Sequence, residues 1–179
     1  MKRLCLLLFV TLTCTIKSSA QPTTQQQQQA QIAALVQKIG DATVKSDFET
    51  VLAYTHPKLV AEAGGKDSLL SIVNKSFEVM KSQGIAIKSF TIGRPGEVSK
   101  IDQLYFSVVP QTLVMQVPGG TLSAQSCTLA VSEDAGQHWF FINPKAENEA
   151  RLWAIFPQMK GKLIIPTFGQ PIFTPDAKK

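Results

Sequence analysis

Few side chains in this sequence are equipped for chemistry. Tyr54 and His56 stand one residue apart just before Pro57, Tyr105 lies mid-chain, and His138 and Trp139 adjoin late in the chain. A histidine beside a tyrosine can move a proton near neutral pH, so His56 and Tyr54 are the candidates for acid/base work. Each also has a plain structural reading. A histidine before a proline caps or covers a turn, and a tyrosine on an apolar face buries its ring while its hydroxyl finds a partner. As a binding set, Tyr54, His56, Tyr105 and Trp139 would supply the polar tips of an otherwise apolar pocket. His138 reads as turn-flanking, Asp47 as a helix cap and Asp102 as part of a polar turn. No catalytic residue is assigned on these grounds. With two histidines and no H-x-x-x-H or C-x-x-C, no metal is expected. No Gly-rich phosphate loop and no G-x-S-x-G occur, so no cofactor is expected either.

The chain opens with Met1-Lys2-Arg3, an apolar run from Leu4 to Ile16, and Lys17-Ser18-Ser19-Ala20. A basic start, a short apolar core and small residues at the end make a secretory signal peptide, with cleavage near Ala20 and a secreted or periplasmic product. The apolar run is too short for a comfortable membrane span. Cys14 would anchor a lipoprotein, but Thr11-Leu12-Thr13 before it makes a poor lipobox. Losing Lys2, Arg3 and Lys17 leaves 15 basic against 13 acidic residues, so the formal charge falls from +5 to +2. The scattered lysines form no basic stripe, and nucleic acid is not an expected partner. Cys5 and Cys14 leave with the signal. Cys127 alone remains, so no intramolecular disulfide forms, and a nucleophilic role would need an activating neighbour that the local sequence lacks.

Residues 21–30 are a Gln-rich lead-in expected to be disordered. Ile32, Leu35, Val36 and Ile39 then recur at helical spacing. Asp47 caps a short second helix carrying Phe48, Val51 and Leu52, and His56-Pro57 ends it. After Ala63-Gly64-Gly65, a third helix capped by Asp67 or Ser68 carries Leu69, Val73, Phe77 and Met80 and stops at Gly84. Ile85 to Ile92 alternates as a strand. Leu104–Val109 and Thr112–Val117 read as a strand or bent pair broken by Pro110. Pro118-Gly119-Gly120 turns into a hairpin of Leu122–Val131 and His138–Ile142. Cys127, Leu129 and Val131 share one face of its first strand. The other face is mostly small: Ala124, Ser126, Thr128 and Ala130, with Leu122. The second strand is apolar on both faces, Trp139 and Phe141 against Phe140 and Ile142. Such a strand is buried on both sides. Helices cover one face of the sheet, and more chain, a ligand or a second subunit covers the other. Ala146–Phe156 reads as a last helix, followed by a Pro-rich extended tail.

The turn inside that hairpin, Ser132-Glu133-Asp134-Ala135-Gly136-Gln137-His138-Trp139, resembles the Asp-box, S-x-D-x-G-x-x-W, of sialidases and other secreted β-proteins. Ser132, Asp134, Gly136 and Trp139 carry the motif. A single copy is a structural turn and does not imply a sialidase propeller. On a larger scale, helices before an antiparallel sheet, with Lys45-Ser46-Asp47-Phe48, Val51-Leu52, His56-Pro57 and Asp67–Met80 in place, resemble the NTF2-like, or SnoaL-like, α+β cone superfamily. The resemblance covers about residues 31–143, with 144–179 as a C-terminal helical extension packed on the domain. It implies helices on a curved antiparallel sheet and a pocket at the cone's open end. Its members include isomerases, dehydratases, cyclases and non-enzymatic binding or dimerisation modules, so fold alone assigns no activity. The expectation is a secreted module that binds a small apolar or amphipathic molecule or forms a homodimer. The alternative is a cone-fold isomerase, hydrolyase or cyclase using His56 and Tyr54.

Overall fold

Two long strands joined by a tight turn carry the fold. The computed structural model describes residues 24–144 and 149–177. The expected signal peptide, Cys5, Cys14, the first residues of the Gln-rich lead-in and the expected start of the last helix at Ala146 lie outside them. Four helices come first: α1 (Thr24–Val44), α2 (Phe48–Ala53), α3 (Pro57–Glu62) and α4 (Lys66–Ser82). The strands follow as β1 (Ala86–Ile92), β2 (Ser99–Ile101), β3 (Leu104–Val117), β4 (Gly120–Ser132) and β5 (Phe140–Ile142). Helix α5 (Glu149–Ile155), a 3-10 turn (Pro157–Met159) and strand β6 (Ile172–Pro175) complete the chain. The protein is thus α+β, with an open six-stranded antiparallel sheet.

β3 and β4 pair along their whole length, from Tyr105↔Ser132 to Val117↔Gly120. β1 and β2 share the outer edge of β3, and β5 and β6 share the outer edge of β4. Opposite residues in an antiparallel pair project to the same face. Phe106, Leu129, Val131 and Ile142 therefore stand on one face, where Leu152, Phe156 and Met159 of the C-terminal segment join them in one core. Val109, Ala130 and Phe141 stand on the other, packed with Ile32 and Val36 of α1 and with Trp139. α1 lies chiefly against β1, where Gly40 lets the helix come close to the Phe90 ring. More of the same chain covers the opposite face, which resolves the three-way expectation for this end of the sheet.

The far end is thinner. Every β4 residue from Cys127 to Ser132 is buried, but Thr121–Ala124 of β4 and Thr112–Val117 of β3 are only half-buried. These are the two central strands, so neither face is fully covered there.

The structure departs from the sequence reading at several boundaries, each for a physical reason. α1 starts at Thr24, so Gln25–Gln29 are helical and not a disordered lead-in. Their amides have work to do: Gln28 Nε2 donates to the Ala135 carbonyl (3.1 Å), and Gln29 Nε2 to those of Pro95 (3.1 Å) and Gly96 (3.0 Å). Apolar periodicity cannot register such contacts. Pro110 does not break β3. Its carbonyl accepts from Gly93 N–H (2.7 Å), so its missing N–H faces the same edge, in the gap between the stretches that β2 and β1 pair. His56-Pro57 ends α2 but also opens α3, with Pro57 in the first turn, where a proline ring is tolerated. Gly65, not Asp67 or Ser68, is the N-cap of α4. β5 begins at Phe140, two residues after His138. Asp47 caps α2 as read, accepting from Thr50 N–H at 3.1 Å.

Candidate functional site

The segment Tyr54-Thr55-His56 runs beside β5. Phe141 N–H donates to the Tyr54 carbonyl (2.8 Å), and His56 N–H donates to the Phe141 carbonyl (3.1 Å). This fixes both candidate acid/base residues, but in different surroundings. Tyr54 packs on the α1 side of the sheet, and its hydroxyl accepts from Lys38 Nζ at 2.9 Å. His56 is only 1% exposed, with its ring edge-on to Phe156 (4.9 Å between centroids) and near Phe140 (5.9 Å). His56 Nδ1 accepts from Lys58 N–H at 3.3 Å and caps α3. The neutral ring therefore carries its proton on Nε2, which has no hydrogen-bond partner among the described residues; Glu133 Oε1 lies 3.7 Å away. Burial pushes the imidazole below its ordinary value of 6.5; Glu133 opposes that shift and Lys58 adds to it.

Tyr105 and Trp139 belong to the α1-side core with Tyr54. Trp139 is 3% exposed, and its Nε1 finds no partner among the described residues. The proposed binding set therefore divides into three residues beneath α1 and a histidine wedged against the C-terminal segment.

The Asp-box turn is fully built. Ser132 Oγ donates to Asp134 Oδ1 (2.8 Å) and accepts from Gly136 N–H (2.9 Å). Asp134 Oδ1 also accepts from Gln137 N–H (3.1 Å) and His138 N–H (2.8 Å). His138 Nδ1 sits 2.5 Å from Asp134 Oδ2, and the His138 backbone and ring hold the Asp134 carboxyl well below the usual carboxylate range. Gly136 has φ +88°, and a Cβ there would strike Gln28 and come within 3.3 Å of Trp139. The motif thus locks Trp139 and the start of α1 to the hairpin. Cys127 is buried, and burial pushes its thiol up to about 11, which makes it a poor nucleophile. Among the described residues no three His, Cys, Asp or Glu side chains converge as metal ligands. No described helix is long and apolar enough to cross a membrane.

A groove lies elsewhere, at the thin end of the sheet. It has a volume of about 450 Å³ and runs between α4, the α1–α2 junction and the start of β1. Val44, Phe48, Phe77, Met80, Ile85 and Ile87 form its apolar lining, with Ser46, Asn74, Glu78 and Lys81 as polar groups. Phe77 packs on Phe48 at 4.2 Å between centroids, which pins α4 to α2. α4 has no fully buried residue; this aromatic pair and the Lys66–Glu49 ion pair tie it to α2, while it stands off from the sheet. The sequence reading saw Phe77 and Met80 only as a helix face; the opening depends on how far α4 stands from β1, which periodicity does not encode.

No family model matches the chain, and comparison with the curated proteins and with the solved structures finds no match.

Proposed function

We propose that this chain is a secreted or periplasmic NTF2-like cone domain that acts as a non-catalytic binding module, taking a small apolar or amphipathic molecule in the groove between α4 and β1. The groove carries the reading. Its volume falls within the range of small-molecule sites, and its lining mixes apolar side chains with at least as much polar surface from groups such as Ser46, Asn74, Glu78 and Lys81, which suits an amphipathic molecule. The order of helices before an antiparallel sheet supports the cone assignment. The basic, apolar and small-residue start of the chain supports export. Proton transfer by His56 with Tyr54 is the weaker reading, because the imidazole is buried and enclosed by Phe140 and Phe156, on the side of the sheet away from Tyr54.

The test is a titration with anilinonaphthalene sulfonate, an amphipathic fluorescent anion. The chain from Gln21 onward should give saturable fluorescence at one probe per chain. Ala86→Trp should abolish it, since Ala86 is an exposed groove-lining residue with room for a ring that fills the opening. Absence of saturable binding, or equal binding in the variant, would overturn the proposal.

A further inference from the structure

β6 is held in place by very little. All four of its residues are exposed, Ile172 at 67% and Phe173 at 51%. It pairs only with the first residues of β4, in the register Gly120↔Pro175 to Ser123↔Ile172, and Asp176 N–H donates to the Gly119 carbonyl at 2.9 Å. Residues 160–171, which lead to it, carry no helix or strand, and 164–171 make no backbone hydrogen bond among the described residues. Pro166 and Pro171 bias this linker toward extended backbone.

The seat for β6 is nonetheless specific. A Cβ on Gly120 would collide with the Thr174 carbonyl oxygen and come within 2.8 Å of the Phe173 ring. The glycine is what admits the strand in this register. A specific seat, a strand with no buried residue and a linker without backbone hydrogen bonds after Leu163 together make an exchangeable element. Leu163 and Ile165 pack on the C-terminal core, and the six residues 166–171 beyond them can span about 20 Å when extended, enough to carry β6 to the strand edge of an adjoining molecule.

We infer that β6 exchanges between two copies of this chain, each C-terminal strand seating on the Gly120 end of the other's β4. The closed and exchanged forms make the same strand contacts, so what the second copy covers decides the balance. Leu113, Met115 and Leu122 lie on the face that Phe173 shares, and all three are half-exposed. A copy joined through β6 is brought beside this end and buries part of it. The inference is independent of the groove, and either can fail without the other.

Disulfide trapping tests it. Thr121 and Thr174 are register partners. One chain carries Thr121→Cys and another, of different tag length, carries Thr174→Cys, so neither can close the bond within itself. Cys127 is buried with a raised thiol pKa and stays out of the chemistry. Co-expressed and mildly oxidised, the pair should give a cross-linked heterodimer several-fold stronger than Thr121→Cys with Ser71→Cys, an exposed α4 position off the register. Adding Gly120→Ala to the first chain should reduce the band to that control level. A band no stronger than the control, or one that Gly120→Ala leaves unchanged, would overturn the inference.

Discussion

His56 does several jobs at once: it caps α3, fills the space between Phe140 and Phe156, and leaves Nε2–H without a partner among the described residues. Burial makes the charged form unfavourable, so the folded protein binds the His56 proton less tightly than the unfolded chain does. The contribution of this group is fully present above pH 6.5 and is lost as pH falls below it through the lowered folded value. Glu133, 3.7 Å away, softens the effect, and Lys58 strengthens it. His56→Asn keeps a capping acceptor but cannot titrate. Thermal melts at pH 7.5 and pH 5 should therefore show a smaller loss of Tm in the variant than in the parent. An equal loss in both would remove His56 as the cause. The Tyr54 and Trp139 side chains make the complementary point. Sequence identified them as amphipathic and worth attention, but whether an amphipathic ring lines a cavity or fills a core depends on what α1 does above it.

Among the elements, α1 is where local preference and packing disagree. Gly40 sits inside a helix, where alanine is favoured by about 1 kcal/mol. Yet a Cβ there would run into the Phe90 ring on β1. Overpacking a tight contact costs about 1–3 kcal/mol, which exceeds the propensity gain. Gly40→Ala should therefore lower stability in urea unfolding despite the better helix former; a stabilised variant would mean that Phe90 rotates away freely. Local sequence gives no sign of this, because the partner of Gly40 lies fifty residues away on another element. The same division runs through the rest of the chain. The identity of β1, β3, β4 and β5, the small and apolar faces of β4, the Asp47 cap and the hydrogen-bonded turn after Ser132 were legible, since each depends on neighbouring residues, whereas β2 and β6 were not expected as strands. The start of α1, the continuity of β3 through Pro110, the existence of α3 and the groove were not legible either. Glutamines that donate to distant carbonyls, a proline facing a gap between two edge strands, and a helix tied to α2 by an aromatic pair and an ion pair are tertiary facts.

At the scale of the molecule, the sheet has two unequal ends. One is sandwiched between α1 and the C-terminal segment and holds most of the buried side chains. The other, around the β3–β4 turn, is half-covered and carries both the groove and the β6 seat. The first end holds the core, while the proposed function places recognition at the second, where apolar surface is left for something to cover. The central claim is that this thin end binds a small molecule. Native mass spectrometry of the chain from Gln21 onward, purified without denaturation and compared with Ala86→Trp, tests it most directly. The account predicts a noncovalent adduct of small-molecule mass on the parent chain, one per chain, and none on the variant. A parent chain with no adduct, or an adduct that persists unchanged in Ala86→Trp, would contradict it.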